Sequence, residues 1–203
     1  MVALTEFEAV SAAPAGGSVD DYRAVLARFS AGECSAETWA AFSAAFGVHR
    51  EGGDDPGTVR VDIPGGIPSA AAARRLAGLA TAHAAGRLFI TPEDGVQLRA
   101  VALEATPEVL EALPPPVPAA VAAAAPARDG RLAVTVALSD GYLTSAQLER
   151  LAEIAAEFAF GGLGTTADGR LVLAGVDPTL VTAVIAEAQA AGLKAEQASR
   201  VGG

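Results

Sequence analysis

Cationic side chains other than arginine are almost missing from this chain. Lys194 is the single lysine beside thirteen arginines, and 24 acidic residues leave a formal charge of −10. Nonspecific binding to nucleic acid or to an acidic membrane needs a surplus of cations, so the composition argues against both partners. Cys34 is the single cysteine. An intramolecular disulfide, a cysteine-ligated cluster and a four-cysteine zinc site therefore cannot be built from one chain. Two histidines, His49 and His83, leave little for a metal centre. No apolar run approaches the length of a membrane span without a polar residue or proline, and no basic flank precedes a hydrophobic stretch near the N-terminus. Cytoplasm is the expected location. Half of the 203 residues are apolar, many of them alanine, which suffices for one ordinary domain or two small ones.

What is present is a repeat at an offset of 75 residues. Val59 to Val101 lies over Val134 to Val176 without a gap, with 14 identities in 43 positions. The telling matches are not alanines: Gly66/Gly141, Arg75/Arg150, Leu76/Leu151, Gly86/Gly161, Leu88/Leu163, Thr91/Thr166, Leu98/Leu173 and Val101/Val176. A duplicated unit of this length is one supersecondary package, and two copies bury their apolar faces against each other.

Local patterning fills in the elements. Residues 1–17, ending in Ala-Pro-Ala-Gly-Gly, read as a flexible arm. Tyr22, Val25, Leu26 and Phe29 fall at helical spacing, and Ser35 is placed to cap a second helix carrying Trp39, Phe42 and Phe46 up to Gly47. His49 to Gly57 reads as a charged, Gly-rich loop. In the first copy Thr58 to Ile63 alternates as a half-buried strand, Ser69 caps a helix to about Ala84, and Leu88–Thr91 and Val96–Val101 form two strands. A short helix follows from Pro107 to Leu113. The second copy repeats the course with a strand over Leu132–Leu138 and a capping box at Thr144-Ser145-Ala146-Gln147. Its hairpin lies at Asp168-Gly169, and Asp177-Pro178 opens a last helix. Residues 114–130, rich in proline and alanine, read as a linker, because proline lacks a donor and fixes φ. The expected divisions are therefore 1–17, 18–113, 114–130 and 131–203.

The order strand, helix, strand, strand, helix, given twice with Ile63-Pro64-Gly65-Gly66 after the first strand, resembles the ferredoxin-like half-domains of the siroheme nitrite and sulfite reductases, including the precorrin-3B synthases. The segments that carry the resemblance are Val59 to Gly66, Gly86 to Val101 and Arg131 to Val176. It implies an α+β fold: tandem ferredoxin-like half-domains, β-α-β-β-α repeated, pairing about a pseudo-twofold axis into one mixed or antiparallel sheet with helices on one face. It also implies siroheme and a 4Fe-4S cluster, held in the family by segments that follow each half-domain. The linker takes the place of the first of these and the second is not reached by Gly203, so neither cofactor is expected on this chain. The family's Arg-x-Arg before the turn is kept at Arg60 and becomes Asp62, and the arginine after the hairpin threonine falls on Glu93, with Asp168 at the matching place of the second copy. Siroheme carries many carboxylates, and a carboxylate in place of a cation changes attraction into repulsion, on the order of several kcal/mol per contact.

No catalytic, cofactor-binding or metal-ligating residue is assigned. Arg60, Arg87 and Arg99 are the candidates for an anion- or ligand-binding face, set against ion pairing with Asp62, Glu93 and Asp94. His83 matches Phe158 of the second copy and reads as packing, His49 as a solvated loop residue and Cys34 as an incidental thiol. Gly202-Gly203 is reminiscent of sulfur-carrier tails, but those belong to a different fold. The expectation is a reductase-like half-domain protein that is non-catalytic alone and binds or assembles through its exposed sheet face, with a protein partner or a second copy. Two rivals remain: a component of a siroheme oxidoreductase whose redox centre comes from another chain, and a small-molecule binder using the sheet face.

Overall fold

A computed structural model describes residues 17–50, 57–63, 67, 69–91, 95–113, 130–138, 140–159, 163–165 and 169–197. The arm before Gly17, the linker core and the terminal diglycine lie outside the described residues, as do Glu93, Asp94 and Asp168.

Two helices come first, α1 (Val19–Ser30) and α2 (Ala36–Ala44). Ser18 and Asp21 close a capping box on α1, and Ser35 accepts from the Thr38 amide to cap α2. The two helices enclose an aromatic cluster. Tyr22 meets Trp39 and Phe46 edge-on with ring centroids 5.3 and 5.1 Å apart, and Phe29 stacks on Trp39 at 5.1 Å. Arg23 of α1 reaches Glu111 at 2.8 Å and so ties the hairpin to the helix that ends the first half.

The first half then runs β1 (Val48–Arg50), β2 (Thr58–Ile63), α3 (Ala70–His83), β3 (Arg87–Thr91), β4 (Gly95–Ala102) and α4 (Thr106–Ala112). The second runs β5 (Leu132–Ala137), β6 (Tyr142–Thr144), α5 (Ser145–Phe158), β7 (Leu163–Thr165), β8 (Leu171–Val176), α6 (Val181–Ala190) and β9 (Lys194–Gln197). The α+β class and the two ferredoxin-like halves stand as expected. The single sheet does not: the strands form two antiparallel sheets, ordered β1-β2-β4-β3-β6 and β7-β8-β5-β9.

The sheets are joined by an exchange. Strand β6 of the second half pairs with β3 of the first, Leu88 opposite Leu143 and Phe89 opposite Tyr142. In return Ile67 of the first half bridges to Leu163 at the start of β7, whose amide donates to the Ile67 carbonyl at 3.1 Å. Each half therefore completes an edge of its neighbour. The opposite edge is filled from different directions. In the first half β1, upstream of the repeat, pairs with β2, whereas in the second β9, downstream of it, pairs with β5.

Helices α3 and α5, which occupy matching places in the repeat, pack on one another. Their starts and ends differ by the same 75 residues, and Leu76 and Leu151 are both fully buried there with Ala77 and Ala152 beside them. Alanine at these positions lets the helices approach closely while leucine fills the remaining space. On the sheet side Val59, Val61 and Ile63 point into the same core. The capping box on α5 forms as read: Gln147 N–H donates to Thr144 Oγ1 at 3.2 Å, and Thr144 N–H donates to Gln147 Oε1 at 3.0 Å.

The repeat is not gap-free in space. Val61 pairs with Leu98 and Val134 pairs with Leu173, so β5 stands 73 residues after β2 while β8 stands 75 after β4. A slip of two leaves every side chain on its original face, because the strand period is two. Both halves also keep a bulge. The register shifts between Val59 and Val61 opposite Ala100, and again between Leu132 and Val134 opposite Gly175; Ala100 has φ 56° and Gly175 φ 78°.

Three short strands depart from the sequence reading. β1 occupies the start of the segment read as a loop, β6 precedes the capping box, and β9 follows the last helix. That helix begins at Val181 after a turn over Pro178–Leu180, not at Pro178. No described helix is long and apolar enough to cross a membrane.

Candidate functional site

Strand alternation sends Val59, Val61 and Ile63 inward, which leaves Arg60 and Asp62 on the other face of the first sheet. The neighbouring strands present matching positions there. His49 is opposite Arg60, Asp62 opposite Gln97, Gln97 opposite Phe89, and Phe89 opposite Tyr142. A row of polar and aromatic side chains thus crosses all five strands, and its last member is supplied by the second half.

At one end Asp62 sits between two basic groups. His49 Nε2 lies 3.0 Å from its Oδ2, and Arg60 Nε lies 3.0 Å from its Oδ1. A second guanidinium nitrogen of Arg60 donates to Oδ2 at 3.4 Å. The Nε contact is close but misaligned: Arg60 Nε and Asp62 Oδ1 are both buried and neither makes a directed hydrogen bond. It is an ion pair by distance, with hydrogen-bonding capacity left over.

Arg99, in the middle of the row, donates to Gln97 Oε1 from Nε at 3.1 Å and from Nη2 at 2.9 Å. Its guanidinium also lies 4.4 Å from the centroid of the Phe89 ring. Phe89 packs on Tyr142 with centroids 5.5 Å apart, and Arg87 lies 5.2 Å from the centroid of Tyr142. Arginine over an aromatic face is attracted by the ring quadrupole. Among the described residues no carboxylate pairs with Arg87 or Arg99.

All three predicted arginines therefore share one face. Of the acids weighed against them, Asp62 does pair with Arg60. Sequence reasoning missed Gln97, Phe89, Tyr142 and the link from His49 to Asp62. A polar Gln97 between Val96 and Leu98 was a readable signal, since it marks the outward face of a central strand; it is 2% exposed. Phe89 between two inward residues was another. Nothing local marked Tyr142, whose place follows from a partner strand in the other half.

The remaining candidates are ordinary. His83 is mostly buried at the end of α3, with Nε2 3.8 Å from a carboxylate oxygen of exposed Glu108. Cys34 is buried and donates weakly to the Ser35 carbonyl. An open groove of about 480 Å³ lies between the start of α5 and the end of α6, lined by Gln147, Arg150 and Glu187. Arg150 there is already engaged by Glu153 and Glu187.

Comparison with known proteins places this architecture. The family described as "Nitrite/Sulfite reductase ferredoxin-like half domain" matches residues 49–114 and again 125–191, more than half of the chain. The chain belongs to this family. Both matched segments are copies of the same half-domain, so the internal repeat and the family match report one duplication. A similar solved structure is the Mycobacterium tuberculosis NirA protein, at 14% identity and a TM-score of 0.64, covering 88% of this chain and 68% of that one. At that identity the likeness is one of fold. No curated protein matches the chain in sequence.

Proposed function

We propose that this pair of half-domains is a binding or assembly module that does no redox chemistry alone, and that its recognition surface is the outward face of the first sheet. The observation that carries this reading is the division of that face. Arg60 is tied to an internal carboxylate, while Arg87 and Arg99 rest on aromatic rings with no acid partner among the described residues. Such a surface suits a protein segment that brings both carboxylates and apolar groups, since a desolvated guanidinium favours a bidentate acid. The strongly acidic remainder of the chain disfavours nucleic acid as the occupant.

Siroheme, which the family resemblance implies, fits the same face poorly. A polycarboxylate macrocycle needs clustered free cations, and at this end the most buried charged group is the Asp62 carboxylate, 19% exposed between Arg60 and His49. Its charge opposes that of the cofactor.

Titration of the purified protein with siroheme tests the reading. The expected result is an unchanged absorbance spectrum. A shifted Soret band with saturating stoichiometry would overturn it, and would favour the reading as one chain of a siroheme oxidoreductase. In the companion experiment, proteins co-purifying from native lysate are lost with Arg87→Glu and kept with Arg74→Glu, at an exposed position of α3. Equal retention would remove this face from consideration.

A further inference from the structure

We infer that Asp62 is a built-in counter-anion that occupies and closes an oxyanion site formed by Arg60 and His49. The inference rests on the reading that this face recognises ligands without siroheme, and it identifies the residue that decides which anions are refused there.

Three observations carry it. The first is position. Asp62 Oδ1 is 3.0 Å from Arg60 Nε, and Oδ2 is 3.0 Å from His49 Nε2 and 3.4 Å from a further Arg60 nitrogen. A carboxylate receiving a guanidinium on one side and an imidazole on the other stands where a bound carboxylate, sulfate or phosphate would stand. The second is fixation. The Asp62 amide donates to the Gly47 carbonyl at 2.8 Å, and Asp62 is registered against Gln97 on the far side. Gly47 has φ 71°, and a Cβ there would stand 3.0 Å from the Asp62 carbonyl oxygen. Glycine thus lets the chain turn into β1 and bring His49 alongside. Strand pairing on both sides holds the backbone of this residue, so its carboxylate is always delivered within reach of Arg60 and His49.

The third observation is imperfection. Arg60 Nε and Asp62 Oδ1 are buried, close and misaligned, so each retains an unspent hydrogen-bonding function. Asp62 sets Oδ1 at Nε and Oδ2 at Nη2, along one edge of the guanidinium, but only the 3.4 Å contact to Nη2 is aligned as a hydrogen bond. An untethered oxyanion is free to turn into alignment with both nitrogens. The pair therefore neutralises charge while leaving hydrogen-bonding capacity that a better-aligned anion would use. The second half lacks this arrangement. The residue that pairs there as Asp62 does here is Thr135, and the counterpart of Arg60 is Ala133.

Isothermal titration of the intact chain with sodium sulfate, in a buffer free of other oxyanions, tests the assignment. The wild type is expected to show no saturable binding in the millimolar range. Asp62→Ala, which vacates the site, is expected to bind sulfate at least tenfold more tightly, and Asp62→Ala with Arg60→Gln to lose that gain. Asp62→Asn is the second variant should alanine unsettle the strand: it keeps the shape, removes the charge and is expected to show a smaller gain. Equal behaviour of wild type and both folded Asp62 variants would overturn the inference, as would a gain that survives Arg60→Gln. Siroheme binding by the wild type would instead overturn the reading on which the inference rests, so the two failures are distinguishable.

Discussion

The two halves keep the same inner face and differ on the outer one. Inward residues repeat almost one for one: Val61 and Val134, Ile63 and Val136, Leu98 and Leu173, Leu76 and Leu151, all essentially buried. Outward positions that are Arg60, Asp62, Gln97, Arg99 and Phe89 in the first half are Ala133, Thr135, Val172, Ala174 and Gly164 in the second. Loss of an inward methylene leaves a cavity whose cost the fold cannot escape. An outward side chain escapes that particular cost, so its identity is freer to change. The comparison separates what the shared core demands from what each surface is free to vary; among the described residues the second half contributes Tyr142 to the polar face, delivered on the exchanged strand.

The largest test of this asymmetry is at the shared core. Leu76→Ala and Leu151→Ala should each cost about 2–5 kcal/mol in denaturant unfolding, by similar amounts, because both fill the same helix–helix contact from opposite sides. A cost for one and none for the other would break the equivalence of the inner faces.

Next in size is an effect confined to the first half, whose upstream hairpin has no counterpart in the second. Burial pushes the Tyr22 phenol up from 10.0 to about 12; Thr106 lies close enough to offset this in part. No hydrogen bond completes that contact, since Tyr22 Oη has no partner and the Thr106 hydroxyl donates to the Leu103 carbonyl at 2.6 Å. The folded state thus holds the proton more tightly than the unfolded chain. Its stabilising contribution is complete below pH 10 and is lost between about pH 10 and 12, at most about 3 kcal/mol at 1.36 kcal/mol per unit. Tyr22→Phe should abolish that alkaline loss, measured as the fall in Tm over this window. An unchanged fall would place its origin elsewhere.

The smallest test exchanges the two bulges. Ala100 adopts φ 56° where the second half has Gly175 at φ 78°. A non-glycine residue in this region costs about 1–2 kcal/mol. Ala100→Gly should stabilise the protein by about 1 kcal/mol, after the entropy of the added glycine, and Gly175→Ala should destabilise it by about 1–2 kcal/mol. Opposite signs at matching positions would show that the two bulges are one inherited feature.

Much of this architecture was legible because it is encoded locally. Alternation in Val59, Val61 and Ile63, the Ser69 cap, the Thr144–Gln147 box and the apolar stripe of α5 each specify an element within a few residues of themselves. Strands β1, β6 and β9 are three or four residues long and carry no pattern of their own. They are strands because a distant edge selects them. The single sheet failed for the same reason, since the exchange through Ile67 and β6 depends on pairing between halves. At the site, Arg60 and Asp62 lie two apart on one strand and were readable as a pair. His49 comes from a segment read as a loop and Tyr142 from the other copy, so their meeting on one face is a product of tertiary pairing.

The exchange at Ile67 and β6 also bears on how such a duplication persists. Copies that stand side by side can drift until one is discarded. Here either partner, left by itself, would present a raw border and an uncovered helix flank to water. The pairing lent by each half to the other thus makes the two copies one folding unit, so that losing either would expose backbone that the other now covers.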